Sequence, residues 1–189
     1  YDKLGKMKYI FGRNPELDLI LYANWEKSDT DGGGETTPEE NLVDTVILAN
    51  GDKYTDILTA TVLGQEIDAP ILLTKVNTLN QATEKEIERL NPKKIIISGG
   101  DGSVSEKIAK ELKTDGYKVE RLSGENRYGT ATEIVKRVRN ITGVKDKTVL
   151  VDGTNFPDVI TISTLASIKN APILLTEPDK LNQITENAL

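Results

Sequence analysis

Two residue types that dominate enzyme active sites are missing from this chain. Its 189 residues contain no histidine and no cysteine. Ser-His-Asp and Cys-His catalysis, disulfide bonds and zinc sites of the usual ligand types are therefore excluded within the chain. Calcium and magnesium sites with oxygen ligands remain open, but no loop has the ligand spacing of an EF-hand. The composition thus removes most of the common catalytic and metal-site classes.

Long apolar runs are also absent. None approaches the ~20 residues that a membrane-spanning helix needs, and no signal peptide is visible. The lack of cysteine fits a cytosolic protein as well as an exported one without disulfides, so it does not identify the compartment. The chain opens on Tyr1 rather than on Met, and the internal repeat described below breaks off at the last residue. We therefore expect it to be part of a longer protein.

Positive charge is in deficit overall but is concentrated in one stretch. The formal net charge of −6 argues against a general nucleic-acid binder. Residues Lys93–Lys147 nevertheless contain 13 basic and 8 acidic residues, a local excess of +5. This stretch is either a set of solvated helix faces or a surface that attracts anions.

The chain repeats itself. Gly51–Glu86 aligns without gaps with Gly153–Ala188 at an offset of 102, and 15 of the 36 aligned positions are identical. The densest shared blocks are APILLT (69–74 and 171–176) and LNQxTE (79–84 and 181–186). A match of this length indicates a duplicated structural unit. Two copies of a unit more often serve scaffolding or multivalent binding than catalysis.

After residue 42 the sequence alternates between predicted strands and helices. The strands are predicted at 43–49, 70–73, 94–98, 117–122, 148–151 and 172–175, and the helices at 56–66, 83–90, 126–141 and 157–168. A further helix is predicted to open at Ser103, which forms a capping-box pattern with Glu106. Short apolar strands without polar alternation, each followed by a helix, favour an α/β fold with a parallel sheet flanked by helices.

The first 42 residues have a different character. Residues 26–41 read EKSDTDGGGETTPEEN and contain no large apolar side chain, so we predict a flexible linker over 26–42. Residues 17–25, LDLILYANW, predict a strand that ends a preceding β-rich repeat over 1–25. This ending resembles that of the Listeria–Bacteroides type of surface repeat.

Several ordered motifs together resemble one family. They are IIISGGDGSVSEKIAKEL (95–112), RLSGENRYGTA (121–131), NFPD (155–158) and the two APILLT blocks. They are similar to the cell wall binding repeat type 2 family over 43–189. The resemblance implies a Toprim-like α/β module in about one and a half copies: a first module at 43–120 and a truncated second module at 121–189.

The same resemblance implies a function. Modules of this family usually occur in threes, around a pseudo-threefold axis, in exported Gram-positive surface proteins. They anchor the host protein non-covalently to the cell wall by binding an anionic secondary polysaccharide. We therefore expect a secreted, wall-located, non-enzymatic anchoring module without a cofactor. Because the chain carries about half of its second module, we expect it to bind walls poorly by itself.

Two other functions remain open from the sequence. One is a phosphate- or nucleotide-handling α/β enzyme that uses the loop from Gly99 to Ser103, with acidic residues holding magnesium. The other is a protein–protein assembly module of a surface layer. The repeated packing motifs and the lack of a paired acidic metal motif count against the enzyme.

Candidate binding residues fall in two places. Gly99, Gly100, Gly102 and Ser103 lie between a strand and a helix, where free amides bind phosphate, although a tight turn needs the same glycines. Arg121 and Arg127 flank Ser-Gly-Glu. Each guanidinium is suited either to hold an anion bidentately or to pair with Asp56 or Asp158. The two aspartates occupy matching helix starts, where an acidic residue favours the helix dipole.

The ILL triplets are the remaining candidates. Ile71, Leu72 and Leu73 in the first copy, and Ile173, Leu174 and Leu175 in the second, match a family signature tied to anchoring. Three consecutive large apolar residues are also what a strand buried on both faces requires. Core packing is the role that the residues themselves favour.

Overall fold

The computed structural model describes residues 43–189. The predicted terminal strand and linker, at 1–25 and 26–42, lie outside the described residues. Strands and helices alternate throughout the described part. They are β1 (Thr45–Asn50), α1 (Tyr54–Glu66), β2 (Ile71–Thr74), α2 (Gln81–Leu90), β3 (Lys94–Ser98), α3 (Glu106–Thr114), β4 (Lys118–Leu122), α4 (Arg127–Thr142), β5 (Val149–Asp152), α5 (Phe156–Ile168), β6 (Ile173–Thr176) and α6 (Gln183–Glu186).

Two parallel sheets form the framework. The first has four strands in the order β2-β1-β3-β4, and the second consists of β5 and β6. The strands have no polar alternation because both faces of the first sheet are covered: Val46, Ile47, Leu48 and Ala49 of β1 are all fully buried. The predicted α/β class with a parallel, helix-flanked sheet is confirmed. The Toprim-like label and the module boundary at 120/121 stay predictions.

The first sheet separates two apolar clusters. One face packs Leu48 and Leu72 against Ile87 of α2 and Ile108 of α3. The opposite face belongs to a larger cluster that joins β1 and α1 to α4, α5 and β6. Because α1 contacts both α4 and α5, the two copies of the repeat share one core.

The connections place a topological switch point between β1 and β3 of the first sheet. From β1 the chain runs through α1 to β2, and from β2 it crosses the opposite face through α2 to β3, on the other side of β1. From β3 the chain then runs through α3 to β4, so it leaves the carboxyl ends of the neighbouring strands β1 and β3 in opposite directions. In open parallel sheets, ligands bind in the crevice outside such a switch point.

The two copies repeat in their hydrogen bonds as well as in their sequence. Ile47 pairs with Ile71 as Val149 pairs with Ile173, in the same register. The LNQxTE block ties helix to strand in both copies: the hydroxyl of Thr83 donates to the Leu73 carbonyl, and that of Thr185 to the Leu175 carbonyl, each at 2.5 Å. Most of the repeated identities thus serve the packing of the unit.

Both ILL triplets lie in strands of the core. Leu72 is 2 % exposed, and Ile173, Leu174 and Leu175 are fully buried. Ile71 and Leu73 are partly exposed because β2 is the outer strand of the first sheet.

The predicted capping box at Ser103 is wrong. Helix α3 begins at Glu106 with Ser105 as its N-cap residue, and the Glu106 amide donates to the Asp101 carboxylate at 2.5 Å. The amides of Ser103 and Val104 both donate to the Gly100 carbonyl, which closes a turn before the helix. The Asp101 carboxylate, a stronger acceptor than a serine hydroxyl, therefore receives the first helical amide.

Candidate functional site

The predicted polymer-binding residues lie at or beyond the carboxyl ends of β3 and β4. The loop after β3 contains the glycine cluster, Arg121 lies in β4, and Arg127 is the first residue of α4. The loops after β1 and β5, which are repeat equivalents, face the same region. Four short connections therefore build the candidate site.

The loop after β3 is fixed by its own contacts. Gly99 has φ of 106°, and a Cβ there would lie 2.5 Å from Asp56 Oδ2, so only glycine fits. Its amide donates to the Leu122 carbonyl at 2.9 Å, and the Ser103 amide donates to Gly100. The backbone amides of Gly99 and Ser103, two of the predicted phosphate donors, therefore already donate to carbonyls within the protein. Gly100 and Gly102 face open space, where a Cβ would meet nothing within 4 Å.

Arg121 holds this loop in place. Its Nη1 donates to the carbonyls of Gly99 at 2.9 Å and Val104 at 2.8 Å, and its Nη2 lies 3.4 Å from the Glu106 carboxylate. The acidic partner is therefore Glu106, and neither of the two aspartates considered from the sequence. The guanidinium is mostly covered and is engaged at both ends of the loop.

Arg127 has a different environment. Its Nη1 donates to the Gly153 carbonyl in the β5–α5 loop at 2.7 Å, and the residue is exposed. Within residues 43–189 no carboxylate lies within ion-pair distance of it. The Gly153 carbonyl also accepts the Tyr54 hydroxyl at 3.2 Å. The structure does not gather the two arginines into one cluster, because they serve different loops.

The tight turn before α4 fixes the position of Arg127. Asn126 is the N-cap residue, and its side chain accepts from the amides of Tyr128 at 3.0 Å and Gly129 at 3.1 Å. Gly124 lies against Gly129, and its amide donates to the Thr130 hydroxyl at 3.2 Å. The SGENRYG motif therefore builds a compact helix start that presents Arg127 at the surface.

Asp56 is the buried charge of the site. It is 6 % exposed, and its Oδ2 accepts the Ser103 hydroxyl at 2.6 Å. Burial raises the pKa of its carboxyl above the ordinary value, while the Ser103 hydrogen bond and the positive charges of Lys53 and Arg127 act in the opposite direction. Its repeat counterpart Asp158 is exposed and accepts from the Asn155 side chain at 2.8 Å. Both aspartates lie in the first turn of their helices.

The raised pKa of Asp56 has a consequence for stability. A carboxyl whose folded-state pKa exceeds its unfolded value stabilises the fold fully below the unfolded pKa, about 3.9, and loses this contribution as pH rises through the folded value. Asp56→Asn keeps an oxygen acceptor for Ser103 and removes the titration. We expect the free energy of unfolding of the wild type, relative to this variant, to fall as pH rises above about 4. Urea unfolding between pH 4 and 7.5 measures it, with Asp158→Asn as the exposed matched control. A difference that is constant with pH would contradict the assignment.

Sequence reasoning missed three contributors to the site. Asn50, at the end of β1, donates to the Ser103 carbonyl at 2.6 Å. Tyr54 and Phe156 place their ring centroids 4.9 Å apart at an interplanar angle of 72°. The repeat contained the signal for the aromatic pair, since the two residues occupy the same repeat position.

Lys53, Tyr54, Arg127, Gly153 and Phe156 together form what we call the inter-repeat junction. The Gly153 carbonyl accepts from Arg127 and Tyr54, the Phe156 ring contacts Tyr54, and exposed Lys53 precedes Tyr54 in the chain. Within residues 43–189 there is no group of three acidic side chains placed to hold a metal ion. None of the helices over the same range has the length and apolarity to cross a bilayer.

Comparison with known proteins gives consistent results. Among curated proteins, the chain is 41 % identical over 137 residues to the amidase enhancer of Bacillus subtilis, covering 72 % of this chain and 19 % of that protein. It is 29 % identical over 145 residues to the N-acetylmuramoyl-L-alanine amidase LytC of the same organism, covering 77 % of this chain and 28 % of the amidase. The chain thus spans less than a third of either relative.

Two solved structures have a similar fold and a sequence identity to this chain that lies within the range of the curated relatives. Cwp8 from Clostridium difficile has a TM-score of 0.68 at 35 % identity, covering 78 % of this chain and 25 % of Cwp8. Cwp6 from the same organism has a TM-score of 0.67 at 32 % identity, covering 77 % of this chain and 23 % of Cwp6. The family model of cell wall binding domain 2 matches residues 20–109 and 121–189. The chain therefore belongs to the cell wall binding domain 2 family.

Proposed function

We propose that this chain is a non-catalytic anchoring module that binds an anionic secondary polymer of the cell wall and so tethers its protein to the surface of a Gram-positive cell. Membership in the family implies binding to the cell wall, and the likeness to Cwp6 and Cwp8 implies association with the wall or surface. The name of the amidase enhancer is consistent with a role other than catalysis. The identity of the polymer as an anionic chain, and secretion, are parts of the proposal.

The exposed guanidinium of Arg127 carries this proposal. A protein of net charge −6 must bind a polyanion through a local basic surface. The bond from Nη1 to the Gly153 carbonyl orients the guanidinium without neutralising it, because the carbonyl has no net charge. A planar, fixed charge is suited to phosphate or carboxylate groups. Exposed Lys53 adds a second positive charge to the same junction.

Part of the basic stretch is less available because its charges are paired. Lys94 and Arg137 both pair with Glu120, Lys136 pairs with Glu133, and Arg121 lies beside Glu106. Each pair reduces the charge that a polymer would meet. Judged over residues 43–189, the stretch also has exposed lysines without a carboxylate partner: Lys110, Lys118, Lys145 and Lys147. Arg127 is favoured over these as the principal anion ligand because its planar guanidinium is oriented by the Gly153 carbonyl, and the contacts of Arg121 favour loop support.

A pseudo-threefold arrangement with further modules is also part of the proposal. Helix α1 packs against α4 and α5, and α5 is the counterpart of α1 in the repeat. Leu63 of α1 is fully buried, whereas the equivalent Leu165 is 49 % exposed. The apolar face that α5 leaves open supports contact with a following module in the way that α1 contacts the second copy.

The binding role of Arg127 predicts a charge-dependent loss. Arg127→Gln should weaken binding to purified Gram-positive walls by about tenfold or more, since a hydrogen bond to a charged group contributes about 1.5 kcal/mol or more. Binding should also weaken as salt rises, because exposed charges are screened over about 8–10 Å. Co-sedimentation of the chain, coupled densely to beads to gain avidity, measures both effects.

The matched control is Lys145→Gln, which removes an exposed positive charge elsewhere in the basic stretch. It should change binding less than Arg127→Gln does, and neither variant should shift the unfolding midpoint strongly. Equal losses in both variants would mean that only diffuse charge matters. Salt-independent binding would contradict the electrostatic mechanism.

A further inference from the structure

The two rings of the aromatic pair at the inter-repeat junction differ in their packing: Tyr54 packs against the larger core cluster, whereas Phe156 lies outside it. Aromatic residues make up 5 % of the chain, and two of them meet here in an edge-to-face contact. Tyr54 is half-buried, but Phe156 is 47 % exposed at the first position of α5. An exposed phenylalanine ring whose edge contact fixes its orientation presents an apolar surface to solvent.

The buried Gly153 carbonyl positions both Tyr54, which supports the Phe156 ring, and the guanidinium of Arg127. The Tyr54 hydroxyl and Arg127 Nη1 both donate to the Gly153 carbonyl, at 3.2 Å and 2.7 Å. A Cβ at Gly153 would lie 3.1 Å from the Cβ of Leu175 and 3.6 Å from Arg127 Cδ, so a side chain there would crowd the arrangement. The positions of the aromatic pair and of the guanidinium are therefore coupled.

The repeat distinguishes the role of the ring from that of the hydroxyl. Tyr54 and Phe156 occupy equivalent positions, and only Tyr54 has a hydroxyl. Phe156 therefore cannot make the bond that Tyr54 makes to a glycine carbonyl. Both copies retain an aromatic ring at this position, whereas the hydroxyl is present in one copy only. The shared feature of the repeat is therefore the face of the ring, which indicates a function beyond the hydrogen bond of Tyr54.

We propose that Phe156, supported by Tyr54, is the stacking platform for a pyranose ring of the wall polymer, and that Arg127 binds a phosphate or carboxylate carried by the same or the next sugar. This inference rests on the proposed function. A pyranose presents polarised C–H groups on one face, and these pack against the negative face of an aromatic ring. The junction combines an apolar surface with the positive charges of Arg127 and Lys53, so it complements an anionic sugar better than a bare anion.

The first test is a titration of the isotope-labelled chain, followed by nuclear magnetic resonance. Glucose 6-phosphate should move both the aromatic signals of Phe156 and the guanidinium signals of Arg127. Inorganic phosphate should move only the guanidinium signals of Arg127. Its affinity should be about three- to tenfold lower than that of glucose 6-phosphate, because it lacks the contact with the aromatic ring. Unmoved Phe156 signals with the sugar phosphate, or equal affinities for the two probes, would overturn the proposal.

The second test uses variants. Phe156→Leu keeps an apolar side chain but removes the ring, and should lower the affinity for glucose 6-phosphate about threefold or more while leaving inorganic phosphate unchanged. Phe156→Tyr, which keeps an aromatic ring, should bind glucose 6-phosphate with the affinity of the wild type. Ile168→Ala, at the other end of α5 and 69 % exposed, is the control for apolar surface and should have no effect. If Arg127→Gln weakens wall binding and Phe156→Leu does not, the anchoring role stands and the stacking platform is wrong.

Discussion

Replacing Gly124 with alanine should destabilise the fold by about 3 kcal/mol or more. A Cβ at this position would lie 2.4 Å from the carbonyl carbon and 2.5 Å from the Cα of Gly129. Both atoms belong to the backbone of the first turn of α4, so no side-chain rotation relieves the clash. Arg127 lies in that turn, and wall binding should be lost together with stability. Urea unfolding monitored by circular dichroism measures the change.

Gly100→Ala is the matched control. Its Cβ would meet nothing within 4 Å, and the residue has no positive φ. The free energy of unfolding should change by less than about 0.5 kcal/mol. A similar cost for both substitutions would show that the close approach of Gly124 to Gly129 does not determine the helix start.

Truncation of the first ILL triplet should have an effect of comparable size. Leu72→Ala removes a side chain that is 2 % exposed and packed among β1, α2 and α3, which should cost about 2–5 kcal/mol. Leu174→Ala should be costly for the same reason, since Leu174 is fully buried. Chemical denaturation of both variants gives the free energies.

The ILL variants also separate packing from binding. Leu150→Ala, in a half-exposed position of β5, should cost less than about 1 kcal/mol and serves as the control. Wall binding of Leu72→Ala should fall only as far as its folded fraction falls. Full stability combined with lost binding would show that the triplet contacts the polymer directly.

The sequence was informative wherever a single physical requirement dominates. Strand β3 has the predicted bounds, 94–98, because a short run of three β-branched isoleucines favours a strand buried on both faces. The APILL strands are displaced by one residue, to 71–74 and 173–176, since a proline lacks the amide that pairing requires. In these elements the local preference and the tertiary environment agree.

The sequence was less informative about hydrogen-bond partners that depend on contacts between residues far apart in the chain. Arg121 and Arg127 look alike in the sequence, but β3–β4 pairing places one beside the carbonyls of the glycine loop, while the β5–α5 loop provides the partner of the other. The start of α3 depends on whether Asp101 or Ser103 accepts the first helical amide. The aromatic pair depends on contact between the two copies, which are 102 residues apart.

The most direct test of the anchoring role compares two preparations of one wall. Purified Gram-positive walls are divided, and the secondary polymers are chemically removed from one half while the peptidoglycan is retained. The chain, displayed on beads, should bind the intact walls in a salt-dependent manner and should lose most of that binding on the stripped walls. Equal binding to both preparations would contradict recognition of a secondary polymer, and with it the central claim.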